Sequence, residues 1–259
     1  MSTLWFCLAA LVITGYVLLD GFDLGAGIVQ LVVARSERET GQVLTSIGPV
    51  WDGNEVWLLA AGGTLLFAFP VLYASAFSGF YLSLMIVRWL LILRGISIEF
   101  RPHVDSQLWR PFWGTVFGLA SAALALLFGI ALGNVVRGVP LDQSGYFFLP
   151  LWTSLSPNGE VGIVDWYTLL VGAASFFALA EHGSLWVVLK TEGSLQERTL
   201  SFGAKCWPGL VAIAVLVSVA SFSIQPNLTK QFRSHPWGLV FPMMAIAGMI
   251  GMRVLSSRR

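Results

Sequence analysis

An all-α, polytopic bundle of about seven membrane-spanning helices is the fold class that the sequence predicts, and three observations predict it. The 259 residues are 56% hydrophobic and only 11% charged, with a mean hydropathy of +0.76. A soluble domain carries about 25% charged residues, so the polar shell that a large water-soluble core needs is missing. Apolar stretches of roughly 20 residues, enough to cross a bilayer, recur along the chain. Prolines fall at or near the ends of these stretches, where a missing N–H does least harm.

Seven stretches qualify, at about 4–31, 50–69, 71–93, 112–136, 164–189, 205–224 and 236–254. The second and third are separated only by the region of Pro70, which predicts a tight hairpin. Pro111, Pro140, Pro157, Pro226 and Pro236 mark other boundaries. Residues 1–259 read as a single membrane domain, with 1–136 as a first helical bundle and 164–259 as an incomplete second one. The opening Met1-Ser2-Thr3-Leu4-Trp5 lacks the positive region of a cleavable leader. The first stretch is therefore expected to be a retained span.

The placement of arginine and lysine sets the expected orientation. With the N-terminus outside, twelve of the 15 basic residues fall on one side, from Arg35 and Arg38 through Arg88, Arg94, Arg101 and Arg110 to Arg258 and Arg259. Only Arg137, Lys230 and Arg233 fall on the other. The basic side is expected to be cytoplasmic, and the C-terminus lies on it. The connection over about 137–163 is then external, and its Tyr146, Phe147, Phe148 and Trp152, with Trp166, suit an interfacial aromatic belt.

A net charge of +1 with scattered basic residues excludes a nucleic-acid partner. Cys7 and Cys206 form neither a CxxC pair nor a metal-ligand spacing.

Acidic residues inside apolar stretches are the functional signal. Asp20 and Asp23, in Leu19-Asp20-Gly21-Phe22-Asp23-Leu24-Gly25, lie i,i+3 on one helix face. Asp52 and Glu55 repeat the spacing in Trp51-Asp52-Gly53-Asn54-Glu55-Val56-Trp57 at the start of the second span. An acid at the centre of a span costs about 2.5–3.5 kcal/mol on insertion scales. The bland reading of the second pair is an acidic cap at a helix N-terminus. Gly21-x-x-x-Gly25 permits close helix approach, which turns the neighbouring aspartates inward. Carboxylates buried with no cation nearby tend to hold a proton. Together with Asn54 they suit a proton relay better than a bound cation, for which few further oxygen ligands are evident. Glu181-His182-Gly183 lies in the fifth span, and His182 is expected to make a hydrogen bond or polar contact to a neighbouring helix. His103 and His235 are expected in solvated loops, so the chain is poorly equipped to hold several haems.

Taken in order, these motifs resemble subunit II of the cytochrome bd family of quinol oxidases. The matching blocks are Leu19–Gly25, Gly48–Trp57, Tyr73–Tyr81 and Leu93–Arg101. Leu132-Gly133-Asn134 with Gly138-Val139-Pro140, and His182-Gly183 leading to Leu189–Gly193, complete the set. The resemblance covers most of the chain, and the tryptophan-rich second block is the most specific part of it. It implies a non-haem subunit of an oxidoreductase that passes electrons from quinol to dioxygen in a bacterial inner membrane. Two b-type haems, one d-type haem and the quinol site then belong to subunit I, the partner, with which small accessory subunits can associate. No cofactor is implied for this chain beyond a structural quinone held by some members. The resemblance carries a cytoplasmic proton path onto Asp20, Asp23 and Asp52, with Glu55 beside them. Family members have about nine helices, so the seven stretches here imply a form shortened at the C-terminus. Two other functions would use the same carboxylates: a proton-coupled secondary transporter, or a shortened, non-catalytic membrane scaffold. Transporters often show internal repeats and broken helices; neither is evident beyond glycine clusters at 21–27 and 62–63.

Overall fold

A computed structural model describes the backbone of residues 1–256 and the side chains as far as Val254. Its α-helices are α1 (Ser2–Val33), α2 (Glu37–Ile47), α3 (Trp51–Ala68), α4 (Pro70–Gly79), α5 (Tyr81–Phe100), α6 (Trp109–Arg137), α7 (Trp166–Lys190), α8 (Ser194–Ile224), α9 (Leu228–Ser234) and α10 (Val240–Ser256). Six are long and apolar enough to cross a membrane, or seven helical spans if the bent pair α3–α4 forms one of them. No strand occurs among the described residues, only an isolated bridge between Trp152 and Val164. The all-helical membrane bundle read from the sequence is the observed architecture.

The Pro70 region does reverse the chain, and α4 is bent by 119° from α3. Phe69 leaves the helical region because the proline ring crowds the residue before it. The third expected span, 71–93, is nevertheless not one helix. It breaks at Phe80, and α5 then continues without interruption to Phe100, seven residues past the expected end. Arg88 and Arg94, counted from the sequence among the cytoplasmic-side charges, therefore lie within α5. Arg88 stands on its exposed side and Arg94 in the protein interior. The next proline, Pro102, comes only after that helix has ended.

Three helices, α1, α6 and α7, pack on one another at the centre. Around them α3 lies on α1, α5 on α6 and α8 on α7, while α10 rests on α8. The stretch Asp20–Gln30 of α1 is buried on every side. A helix can be enclosed this way only where its neighbours come close, and small residues allow that. A Cβ on Gly25 would collide with the Leu179 carbonyl and the Gly183 backbone of α7, and one on Gly183 would strike the Gly25 backbone. The close approach expected at Gly21-x-x-x-Gly25 is thus realised at Gly25, backbone against backbone.

The short α2 is amphipathic and lays Val43, Leu44 and Ile47 into a cluster with Phe22, Ala26, Val29, Phe117 and Val187. Ser36 caps it, its hydroxyl accepting from the Glu39 N–H at 3.3 Å. Glu39 accepts from the Arg35 N–H at 2.7 Å and from Arg198 of α8 at 2.5 Å, tying α2 to α8. At the opposite end, Asp165 caps α7 by accepting from the Tyr167 and Thr168 N–H groups, each at 3.0 Å, and pairs with Arg137 of α6. The connection before it is not a simple belt. Tyr146, Phe148 and Trp152 are exposed as expected, but Phe147 turns inward onto Gly79 and Phe80.

Two expectations follow for stability. Gly183→Val should abolish the sharp size-exclusion peak of the detergent-solubilised protein, whereas Gly62→Ala, with open space around it, should leave the peak unchanged. The Arg35 backbone N–H, and then Arg198, hold the Glu39 carboxyl below the ordinary carboxylate range. A depressed folded value stabilises above the unfolded one and is lost as pH falls through the folded value. Glu39→Gln should therefore melt at a lower temperature than the wild type at neutral pH, and thermal melts across the acid range should show the difference closing as pH falls through the folded value.

Candidate functional site

The enclosed stretch of α1 carries two acids that face different partners. Asp20, with 0% exposure, accepts both guanidinium arms of Arg94, Nη1 to Oδ2 at 2.7 Å and Nη2 to Oδ1 at 2.6 Å. Arg94 is 1% exposed, and its Nη2 also donates to Glu55 Oε2 at 2.5 Å. Arginine suits this place because its planar fork binds a carboxylate through two parallel bonds. One residue thereby joins α1, α3 and α5. Asp23, i+3 from Asp20, accepts from Asn54 Nδ2 at 2.8 Å through Oδ2, while its Oδ1 has no partner. Asn54 Nδ2 also reaches the Leu19 carbonyl at 3.1 Å. Tyr16, one turn before Asp20, is buried with its hydroxyl unpartnered.

The structure gathers Asp20, Asp23 and Glu55 into one polar layer and leaves Asp52 outside it. Asp52 is exposed in the first turn of α3, where the helix dipole favours negative charge. Glu55, one turn further in, is 25% exposed on its side chain and reaches inward to Arg94. The pair read as a repeat of Asp20 and Asp23 is therefore split between a surface position and an interior one.

A second correction concerns the surroundings of the acids. They were expected to lie without a cation nearby, and Arg94 is that cation. An apolar stretch that ends at Leu93 leaves Arg94 just outside the third expected span, which is why the sequence alone does not place it beside the acids. The signal was present: an arginine following Leu90-Leu91-Ile92-Leu93, with no helix breaker until Pro102.

His182 behaves as expected, its Nε2 lying 3.0 Å from the Leu18 carbonyl across the α1–α7 contact, with Phe22 edge-on at 6.0 Å. That nitrogen is engaged by the α1 backbone. Among the described residues no group of three or more histidine, cysteine, aspartate or glutamate side chains is placed to hold a metal ion.

The family model described as cytochrome bd terminal oxidase subunit II matches residues 1–259. The chain belongs to that family. Among its relatives, the probable cytochrome oxidase subunit 2 of Haemophilus influenzae is 35% identical over 195 residues, covering 75% of this chain and 50% of that protein. The cytochrome bd-I ubiquinol oxidase subunit 2 of Escherichia coli is 31% identical over 225 residues, 85% of this chain and 55% of its own length. For the Bacillus subtilis cytochrome bd ubiquinol oxidase subunit 2 the figures are 32% over 229 residues, 88% and 64%. This subunit II chain thus spans between half and two thirds of these relatives. A chain in the structure of the bd oxidase from Geobacillus thermodenitrificans has the same fold, with a TM-score of 0.76 over 100% of this chain and 76% of that one at 18% identity.

Removing one partner from a buried ion pair strands the other, at about 3–5 kcal/mol. Arg94→Met should therefore lower the melting temperature of the detergent-solubilised protein sharply, and Asp20→Leu in the same chain should restore part of the loss. A double-mutant cycle of thermal melts reads this non-additivity.

Proposed function

We propose that this chain is the non-haem subunit of a bd-type quinol oxidase, packing against a haem-bearing subunit I and supplying a proton path from the cytoplasm. The observation that carries the proposal is the buried layer of Asp20, Arg94 and Glu55, with Asp23 beside it, inside a chain of the subunit II family. The substrates of the assembled enzyme are then quinol and dioxygen, and the b-type and d-type haems sit in the partner.

Within the path the residues have different work. Asp52, exposed at the start of α3, is the entry. Glu55 follows one turn inward, accepting a single contact from Arg94. Asp20 has both oxygens committed to Arg94, so it holds the guanidinium in place rather than carrying protons itself. Asp23 keeps one oxygen unpartnered beside the amide of Asn54 and offers the next acceptor inward. Fixing Arg94 between two carboxylates leaves the layer with a net negative charge, which attracts protons from the entry side. The orientation with Asp52 toward the cytoplasm rests on the distribution of basic residues.

The test is purification from native membranes, followed by turnover of the assembly. The wild-type chain should bring down a partner with d-type haem absorbance and be colourless when expressed alone. Asp52→Asn with Glu55→Gln should slow oxygen consumption at least several-fold while the haem content of the complex is kept. Unchanged turnover would reduce the chain to a scaffold. Haem bound stoichiometrically to the isolated chain would overturn the assignment of the redox centres.

A further inference from the structure

On the side of α7 that faces α8, Glu181 is buried at 3% exposure. It lies nine residues before the end of α7 at Lys190, on the order of 13 Å along the helix. That is the depth at which the neighbouring His182 and Gly183 meet α1. No ion pair reaches Glu181 among the described residues, and its Oε2 has no hydrogen-bond partner.

The surroundings of that oxygen are specific. A Cβ built on Gly203 of α8 would stand 3.1 Å from Glu181 Oε2 and 3.3 Å from Ser184 Cβ, so both side chains occupy room that a glycine leaves. Beside them lies a cavity of about 10 Å³ bounded by Glu181, Ser184, Thr199 and Gly203, room for a single water. Ser184 Oγ donates to the Ala180 carbonyl at 2.7 Å, and Thr199 Oγ1 to the Leu195 carbonyl at 2.8 Å. Each hydroxyl has one proton and has already spent it on its own helix. Both therefore present only lone pairs to the cavity, and an ionised carboxylate would add only acceptors. A pocket of acceptors at membrane depth lacks a donor. A proton on the carboxyl supplies one, and a water supplies the rest.

We propose that Glu181, Ser184 and Thr199 form a proton-binding site with one bridging water between α7 and α8, separate from the layer around Arg94. The charged and titratable groups that bear on it are Cys206 of α8 and Arg253 of α10. The Arg253 guanidinium lies over the Trp207 ring at 5.9 Å. On α7 itself, His182 points away toward α1. Proton exchange runs through the single water, and Gly203 is the residue that keeps room for it.

Infrared spectroscopy of the protein purified in its native assembly tests the site without reference to turnover. In H2O and D2O at neutral pH, a protonated-carboxyl C=O band that shifts downward in D2O should be present in the wild type and lost in Glu181→Gln. Thr199→Val, which keeps the shape but removes an acceptor, should move that band upward. The band should be the same in sodium chloride and in choline chloride. A band unaffected by Glu181→Gln would overturn the proposal. So would the loss of carboxylate bands that differ between the two salts, which would mark an ionised, sodium-binding Glu181. If Glu181→Gln does not yield folded protein, Thr199→Val decides: a shifted band supports the site and an unmoved band overturns it.

Discussion

Arg94 brings a full positive charge into the interior of a membrane bundle, and the arrangement around it follows from the need to answer that charge. An unpaired arginine at the centre of a span costs a few kcal/mol on insertion scales. Asp20 meets it with both oxygens and Glu55 with one, from two other helices. Because the guanidinium fork is rigid, the contact fixes the relative depth of α1, α3 and α5 as well as their proximity. α3 packs mainly on α1, and α5 on α6. Arg94 is thus a principal link between two helices that the chain reversal at Pro70 leaves on different neighbours.

The layer depends in turn on how tightly α1 is enclosed. Backbone contact between Gly25 and Gly183 brings α7 against the same stretch of α1 that carries Asp20 and Asp23. In lipid the hydrophobic effect does little to hold helices together, so dispersion contacts and polar pairs must do so. Small residues supply the first, and the ion pair with the Asn54 and His182 bonds supplies the second. Close packing also lowers the local dielectric, which strengthens each polar contact and raises the penalty for leaving one unmade. Packing and polar chemistry are one device here, and the proposed proton path runs along it.

α7 separates two polar regions of different character. Toward α1 it offers a histidine and a glycine, and the charged layer beyond them contains a cation, Arg94. Toward α8 it offers Glu181, with no ion pair in reach and a water-sized gap beside it. The first region holds fixed charge of both signs in direct contact, whereas the carboxyl of the second makes no ion pair among the described residues. One helix can serve both because its faces look onto neighbours with different chemistry.

Composition and hydropathy alone determined that the chain is an all-helical membrane protein, since the free energy of leaving backbone and apolar surface in the wrong solvent depends on local sequence. The same local logic located the acidic motifs, the small-residue approach at Gly25 and the reversal at Pro70. The resemblance built on ordered motifs pointed to the family to which the chain belongs. Local reasoning failed where partners come from distant residues. It ended a span at Leu93 and so took Arg94 for a loop charge, although the arginine lies 74 residues from Asp20 in sequence and within 2.7 Å in space. It read Asp52 and Glu55 as a matched pair, because i,i+3 spacing reports a shared helix face and not the depth at which that face becomes buried. Which acid meets a cation, which meets an amide and which stays at the surface is decided by helix packing. That is a tertiary property, because a charge inside a membrane is stable only beside its counter-charge.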